Sequence, residues 1–319
     1  MDKKIYSQIL DKIKSSRNIL ITTHENPDGD AVASVCVAAE LLGGLGKKYY
    51  IFCNDKPEPG LLFLPHAESI ATKADDIPFE TIDLVIALDC SKLERSRIDE
   101  QIRRAEIFTI NIDHHISNCQ FGNLSLVDPD AAATTQIIYE FLKQVKISIN
   151  RVMANCILTG IITDTGNFAY ASTDSHTFDV ASEMLIKGAN VREVLNYTSK
   201  NKNLRILKAW GFALSRLQYN KKYDIVFTVL TQENLQGLGI AKQELEGLAN
   251  FFNNLKDAKI VLVLYELGDG CVKGSLRTNK DNVDVSRLAG IFGGGGHKKA
   301  AGFEIEGKLE KINDNWQIV

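Results

Sequence analysis

The chain has 319 residues, 45% hydrophobic and 24% charged, with a formal net charge of −3. That is enough chain for two domains at about 100–200 residues each, in an ordinary globular composition, and the charge balance excludes an extended electrostatic track for long nucleic acid. No apolar run approaches the roughly 18 residues needed to span a bilayer, and the N-terminus "MDKKIYSQILDKIKSSRN" alternates charged with apolar residues instead of building a signal peptide's apolar core. A soluble, cytoplasmic protein with no membrane partner is expected. Six cysteines are scattered without a C-x-x-C pair, which argues against a zinc ribbon or a disulfide framework.

In chain order, the first half alternates apolar strands with amphipathic helices. Strands are predicted at 18–23 "NILITT", 48–53 "KYYIFC", 82–89 "IDLVIALD" and 107–113 "IFTINID", and helices at 3–15, 30–43, 131–144 and 151–163. Strands rich in Val, Ile and Leu without polar alternation fit a mostly parallel sheet covered on both faces. The alternation with helices fits a doubly wound α/β domain. Residues 174–190 read as a helix closed by Gly188, and 191–212 as a helical linker and plausible hinge. From 213 a smaller α/β pattern follows, with strands "YDIVFTVL" and "AKIVLVLYEL", a helix "KQELEGLANFF", and an "LGDG" hairpin leading into "CVKGSLRT". A helix "DVSRLAGIF" and the run "GGGGHKKAAGFEIEG" complete it. The domains are accordingly 1–190 and 213–319.

Ionisable residues gather at strand ends and at one helix end. His24, Asp28 and Asp30 follow the first strand, Asp89 ends a hydrophobic strand, Asp113, His114 and His115 end another, and Asp164 follows an apolar helical run. Ligands of open α/β sheets sit beyond the carboxyl ends of the strands, so these groups can converge. Mixed carboxylate and imidazole donors suit Mn²⁺, with Mg²⁺, Fe²⁺, Co²⁺ or Zn²⁺ as substitutes. So many donors exceed one ion's needs and fit a pair about 3.5–4 Å apart, which activates water and offsets phosphoryl charge. Burying these carboxylates without a cation would be costly.

The segments "THENPDGDAVAS", "LDCS", "DHH" and "TDTGNF" resemble the four ordered motifs of the DHH phosphoesterase family. "SLRTNKDNVDVSRLAGIFGGGGHKKAAGF" resembles its companion DHHA1 substrate domain. Within the family the compact bacterial nanoRNase/pAp phosphatase group is most similar. The resemblance implies a Mn-dependent phosphoesterase with its site in the cleft between two domains. Its substrates would be short oligoribonucleotides and 3′-phosphoadenosine 5′-phosphate (pAp). Relatives instead cleave pApA or cyclic di-AMP, or act as RecJ-like single-strand exonucleases. A homodimer is compatible with the family, and long duplex nucleic acid is not expected as a partner.

Carried over by motif, His24 and Asp28 would hold one Mn²⁺, Asp30, His114 and Asp164 the other, and Asp89 would bridge. His115 would contact the scissile phosphate or assist proton transfer, and Asp113 would orient a histidine. In the second domain, glycines 294–296 would let backbone N–H groups approach a phosphate or base, with His297, Arg277 and Ser275 binding a terminal phosphate. Where relatives commonly carry Arg after the fourth motif, this chain has Ala169. Glu25 is expected to face solvent or support a ligand, Cys90 to pack, His66 to lie at the surface, and the segment around His176 to cap a helix.

Overall fold

The computed structural model describes residues 3–199, 203–240, 242–245, 247–252, 255, 257–313 and 315–319. The chain divides into two compact units, Met1–Asn201 and Lys202–Val319. The first contains α1 (Lys3–Ser15), β1 (Asn18–Thr22), α2 (Gly29–Gly44), β2 (Lys48–Phe52), β3 (Leu84–Leu88) and α3 (Asp99–Arg104). It continues with β4 (Thr109–Asp113), β5 (Leu124–Val127), α4 (Thr134–Gln144), α5 (Arg151–Asp164), α6 (Ser175–Ile186) and α7 (Val191–Thr198). Its five strands are all parallel, in the order β2-β1-β3-β4-β5.

Alternation along the strands divides the core in two. Ile19, Ile21, Leu84, Ile86, Leu88, Ile110 and Ile112 point to a large cluster with residues of α1, α2, α4 and α5. Leu20 and Val85 point the other way, into a smaller cluster with Ile77, Ile82, Ile98 and Ile102. That second face is covered by short 3₁₀ turns and α3 rather than by long helices. The mostly parallel, doubly wound expectation therefore holds, with one thin layer. The strand order reverses between β1 and β3, which is where such sheets open a crevice at their carboxyl ends.

Two local differences from the sequence reading have physical causes. The helix expected from 131 starts at Thr134, because Ala131–Ala133 form a turn and the Ala131 carbonyl is left for His114. The strand β5 escaped notice because four residues, "LSLV", carry too little period to register.

The second unit contains α8 (Leu204–Ser215), β6 (Gln218–Asn220), β7 (Ile225–Leu230), α9 (Gln232–Leu238), α10 (Leu248–Phe252), β8 (Ile260–Glu266) and β9 (Cys271–Arg277). It ends with α11 (Val285–Ile291), β10 (Gly295–His297), β11 (Ala300–Glu306), β12 (Leu309–Ile312) and β13 (Asn315–Ile318). A six-stranded mixed sheet runs β10-β11-β9-β8-β7-β6, and β12 pairs with β13. The helix expected over "KQELEGLANFF" is divided into a 3₁₀ turn and α10; Gly247 between them takes φ +82°, a left-handed conformation that ends a helix. Within residues 191–212, α7 packs on α5 in the first unit while α8 packs on β7 in the second. Among the described residues no helix is long and apolar enough to cross a membrane.

Candidate metal and catalytic centre

Three neighbouring strand ends and two helices supply the donors. Where β1 ends, the chain turns through "THENPDG" into α2, and Asp28 caps that helix, its Oδ1 accepting from the Asp30 and Ala31 amides at 3.1 Å each. Asp30 follows in the first helical turn and is buried. Asp89 comes one residue after β3, in a left-handed conformation (φ 52°) unusual for a residue with a side chain. Its amide donates to Ile112 O at 2.9 Å, which holds the strained turn against β4. Asp113 is the last residue of β4, and His114 and His115 follow it.

Hydrogen bonds define how each imidazole presents itself. His24 Nδ1 sits 2.6 Å from the Glu25 carbonyl, which can only accept, so Nδ1 carries the proton. Its Nε2 then faces Asp89 Oδ2 at 3.5 Å. His114 follows the same logic: Nδ1 donates to Ala131 O at 3.2 Å, and Nε2 lies 3.3 Å from Asp164 Oδ2 and 3.7 Å from Asp89 Oδ1. His115 Nδ1 is 2.7 Å from Asp113 Oδ1 and 3.6 Å from Asp89 Oδ1. Asp113 is fully buried and also accepts from the His114 amide at 2.9 Å and from Asn118 Nδ2 at 2.6 Å.

Three donor sets result, each with one ligand atom per residue and all of these atoms within 4.8 Å: His24, Asp28 and Asp89; Asp30, His114 and Asp164; and Asp89, His114 and His115. Asp89 belongs to two of them. The charges are poorly matched without a cation. Burial, then the charge of Asp89, pushes Asp30 up to about 7. Burial and the neighbouring carboxylates raise half-buried Asp164 well above the usual carboxylate range. Burial lowers both His24 and His114, but the Asp89 hydrogen bond and the charges of Asp28 and Asp89 at His24, and the charges of Asp164, Asp89 and Asp30 at His114, outweigh it and carry each to about 9. Burial raises Asp89 too, yet its three histidine neighbours hold it well below the ordinary range. Two raised acids and two raised histidines share protons in a small volume, which is the condition a divalent cation relieves. Hard carboxylate oxygens with imidazole nitrogens are a donor set that fits such ions.

Further residues enter that the motifs alone did not single out. Thr134 and Thr135, at the start of α4, donate to Asp30 and Asp89. Thr134 N reaches Asp30 Oδ2 at 2.6 Å, Thr135 N and Oγ1 reach Asp30 Oδ1 at 3.1 and 2.7 Å, and Thr134 Oγ1 reaches Asp89 Oδ1 at 2.8 Å. The signal available in sequence was two adjacent threonines where a helix begins. Glu25 forms an ion pair with Arg97 at 2.5 Å while its carbonyl holds His24. His66 is partly exposed, its Nε2 3.1 Å from Glu40 Oε2. Cys90 is buried, its thiol pushed up to about 12 by burial. Asp174 caps α6, and His176 pairs with Glu140 at 2.8 Å.

In the second unit, Ser275 and Arg277 lie on β9 beside β11, and β11 carries β10 on its other side. The register places Ser275, Gly302 and Gly295 in one row across the three strands. Arg277 Nε donates to Asn250 Oδ1 at 2.5 Å. The glycines are not equivalent. A Cβ on Gly294 would meet Gly302 O at 2.1 Å, and one on Gly296 (φ +137°) would meet Ala300 O at 2.6 Å, so close strand packing requires both. A Cβ on Gly295 would meet nothing within 4 Å. The side chain of His297 lies outside the described set.

The comparisons with known proteins give the class to which this fold and its donor sets belong, a hydrolase of phosphoric esters. The sequence matches the family model "DHH family, N-terminal domain" over residues 18–161 and the "DHHA1 domain" over residues 222–317. It is 32% identical over 289 residues to the bifunctional oligoribonuclease and PAP phosphatase NrnA of Thermus thermophilus, covering 91% of this chain and 84% of that one. It is 26% identical over 302 residues to the protein of the same name from Bacillus subtilis, covering 94% and 93%. An exopolyphosphatase-related protein from Bacteroides fragilis has the same fold, with a TM-score of 0.90 at 25% identity over 96% of this chain and 92% of that one. The chain belongs to the DHH family of phosphoesterases.

Proposed function

We propose that the protein is a Mn²⁺-dependent phosphoesterase that hydrolyses short oligoribonucleotides and pAp. The observation that carries this reading is Asp89, a buried carboxylate facing three histidines and belonging to two donor sets at once. The relatives named for both activities extend over nearly the whole chain. His24, Asp28 and Asp89 would hold one cation, and Asp30, His114 and Asp164 the second, with Asp89 shared; Mg²⁺, Co²⁺ or Fe²⁺ are substitutes. Bound there, such a pair supplies charge neutralisation for a phosphoryl group and an acidified water.

The protein's own groups do the rest. The Glu25 and Ala131 carbonyls hold the protons of His24 and His114 on Nδ1, so both rings offer a lone pair at Nε2. Asp113 accepts from His115 Nδ1, so Nε2 is the nitrogen left for the substrate, donating to a phosphoryl or leaving oxygen only from the doubly protonated ring and accepting a proton from the neutral one. Asn118 donates to Asp113 Oδ2, keeping that carboxylate aimed. In the second unit, Ser275, Arg277, Gly295 and His297 are our choice for binding the remainder of the substrate.

The test is a substrate panel of pAp, 5′-labelled RNA from two to 24 nucleotides, pApA and cyclic di-AMP, each with Mn²⁺ and with Mg²⁺. Release of phosphate from pAp and preference for the shortest RNAs are expected. Asp89→Ala should abolish the Mn²⁺-dependent reaction while retaining the circular dichroism spectrum of the fold. Full activity in that variant, or no preference for short RNA, would sink the reading.

A further inference from the structure

We propose that Thr134 is a positioning residue that ties the two candidate cation sites together, its hydroxyl aiming Asp89 and its amide aiming Asp30. The inference rests on the metal reading above. Thr134 is fully buried and is the first residue of α4. Its Oγ1 donates to Asp89 Oδ1 at 2.8 Å and its backbone N–H to Asp30 Oδ2 at 2.6 Å. Two donors of one residue therefore reach two acids that arrive from different elements, the end of β3 and the first turn of α2.

Helix geometry explains why this residue has both donors to give. The first amides of a helix have no partner inside it. The residue before Thr134 is Ala133, whose side chain cannot cap. Buried threonines further along a helix spend their hydroxyls on the preceding turn, as Thr159 does on Asn155 O and Thr165 on Ile161 O, at 2.8 and 2.6 Å. At the first position there is no such helical carbonyl, and the hydroxyl is free to serve Asp89. A carboxylate oxygen has two lone pairs, so accepting from Thr134 leaves Asp89 Oδ1 able to bind a cation while fixing the direction in which it does so. Outer partners of this kind commonly set metal affinity by about 10–100-fold.

The experiment measures Mn²⁺ binding by isothermal titration calorimetry and Mn²⁺ electron paramagnetic resonance, beside the melting temperature of the metal-free protein. Thr134→Val keeps the shape and the amide but removes the hydroxyl, and should weaken Mn²⁺ binding about 10–100-fold. Thr134→Ser should restore it to within a few-fold. Should the valine variant not fold, Thr134→Ser against Thr134→Ala gives the same comparison, since the two differ by the hydroxyl alone. Equal Mn²⁺ affinity with and without the hydroxyl overturns the inference, even if stability changes. Asp89→Ala separates this from the parent reading. If it too binds Mn²⁺ normally, the metal assignment fails; if it loses the ions while the hydroxyl-free variants keep them, only the role of Thr134 fails.

Discussion

Gly160 stands where no side chain fits. A Cβ there would lie 2.3 Å from both Asp30 Oδ1 and Thr135 Oγ1, the two atoms that hydrogen-bond each other behind the metal-facing groups. In an open helix Gly→Ala gains about 1 kcal/mol of propensity. Here overpacking costs about 1–3 kcal/mol, so the sign reverses. Gly160→Ala should lower the melting temperature of the metal-free protein and weaken Mn²⁺ binding together, measured by thermal denaturation with and without the ion. A variant more stable than the parent would show that α5 moves away without strain. The glycine sits in "ILTGIITD", an apolar helical run where nothing in the one-dimensional pattern marks it. Only the approach of α2 and α4 makes it special.

At the scale of elements, α4 is capped in trans. Its own N-cap position, Ala133, provides no acceptor, and Asp30 on α2 takes the Thr134 and Thr135 amides instead. Asp30→Ala would orphan three buried donors, the two amides and the Thr135 hydroxyl, at about 1–3 kcal/mol for each unsatisfied group, quite apart from any loss of metal. Asp30→Asn retains an acceptor and should recover part of that stability but not the metal affinity. Urea denaturation of the two metal-free variants checks the difference; equal stability in both would remove the capping role. α2 and α5 approach closely enough at Gly29 that a Cβ there would meet Thr163 at 2.4 Å. Asp30 at the start of α2 and Asp164 at the end of α5 belong to one donor set as a consequence of that packing.

For the whole molecule, the raised groups couple folding, protons and metal. His24 and His114 rise from about 6.5 unfolded to about 9 folded. Their contribution is fully present below pH 6.5 and is lost as pH climbs through 9. Asp30, raised to about 7, acts in the same direction between roughly pH 4 and 7, because the folded state holds its proton longer. The metal-free protein should therefore melt at progressively lower temperature as pH rises from 6 to 9. Cation binding does the reverse. It needs both histidines neutral, so Mn²⁺ affinity should rise over the same interval and binding should expel protons. Calorimetric titrations at pH 7.5 in buffers of different ionisation enthalpy will show this as a buffer-dependent heat. A heat independent of buffer would mean that the histidines are already neutral before the ion arrives.

The sequence by itself determined the donor types, their order along the chain and the parallel α/β unit that carries them. Apolar strands with acidic or histidine ends are a local pattern, and the strand-end rule says where such residues meet. It could not determine which carboxylate faces which ring, since that depends on the order β2-β1-β3-β4-β5, which puts the ends of β1, β3 and β4 side by side. Nor could it find Thr134, Thr135 or Gly160, or separate Gly295 from Gly294 and Gly296, because their roles come from chain segments that are distant in sequence. Donor chemistry belongs to single residues and short runs, whereas alignment, steric exclusion and shared protons arise only when separate elements are packed against one another.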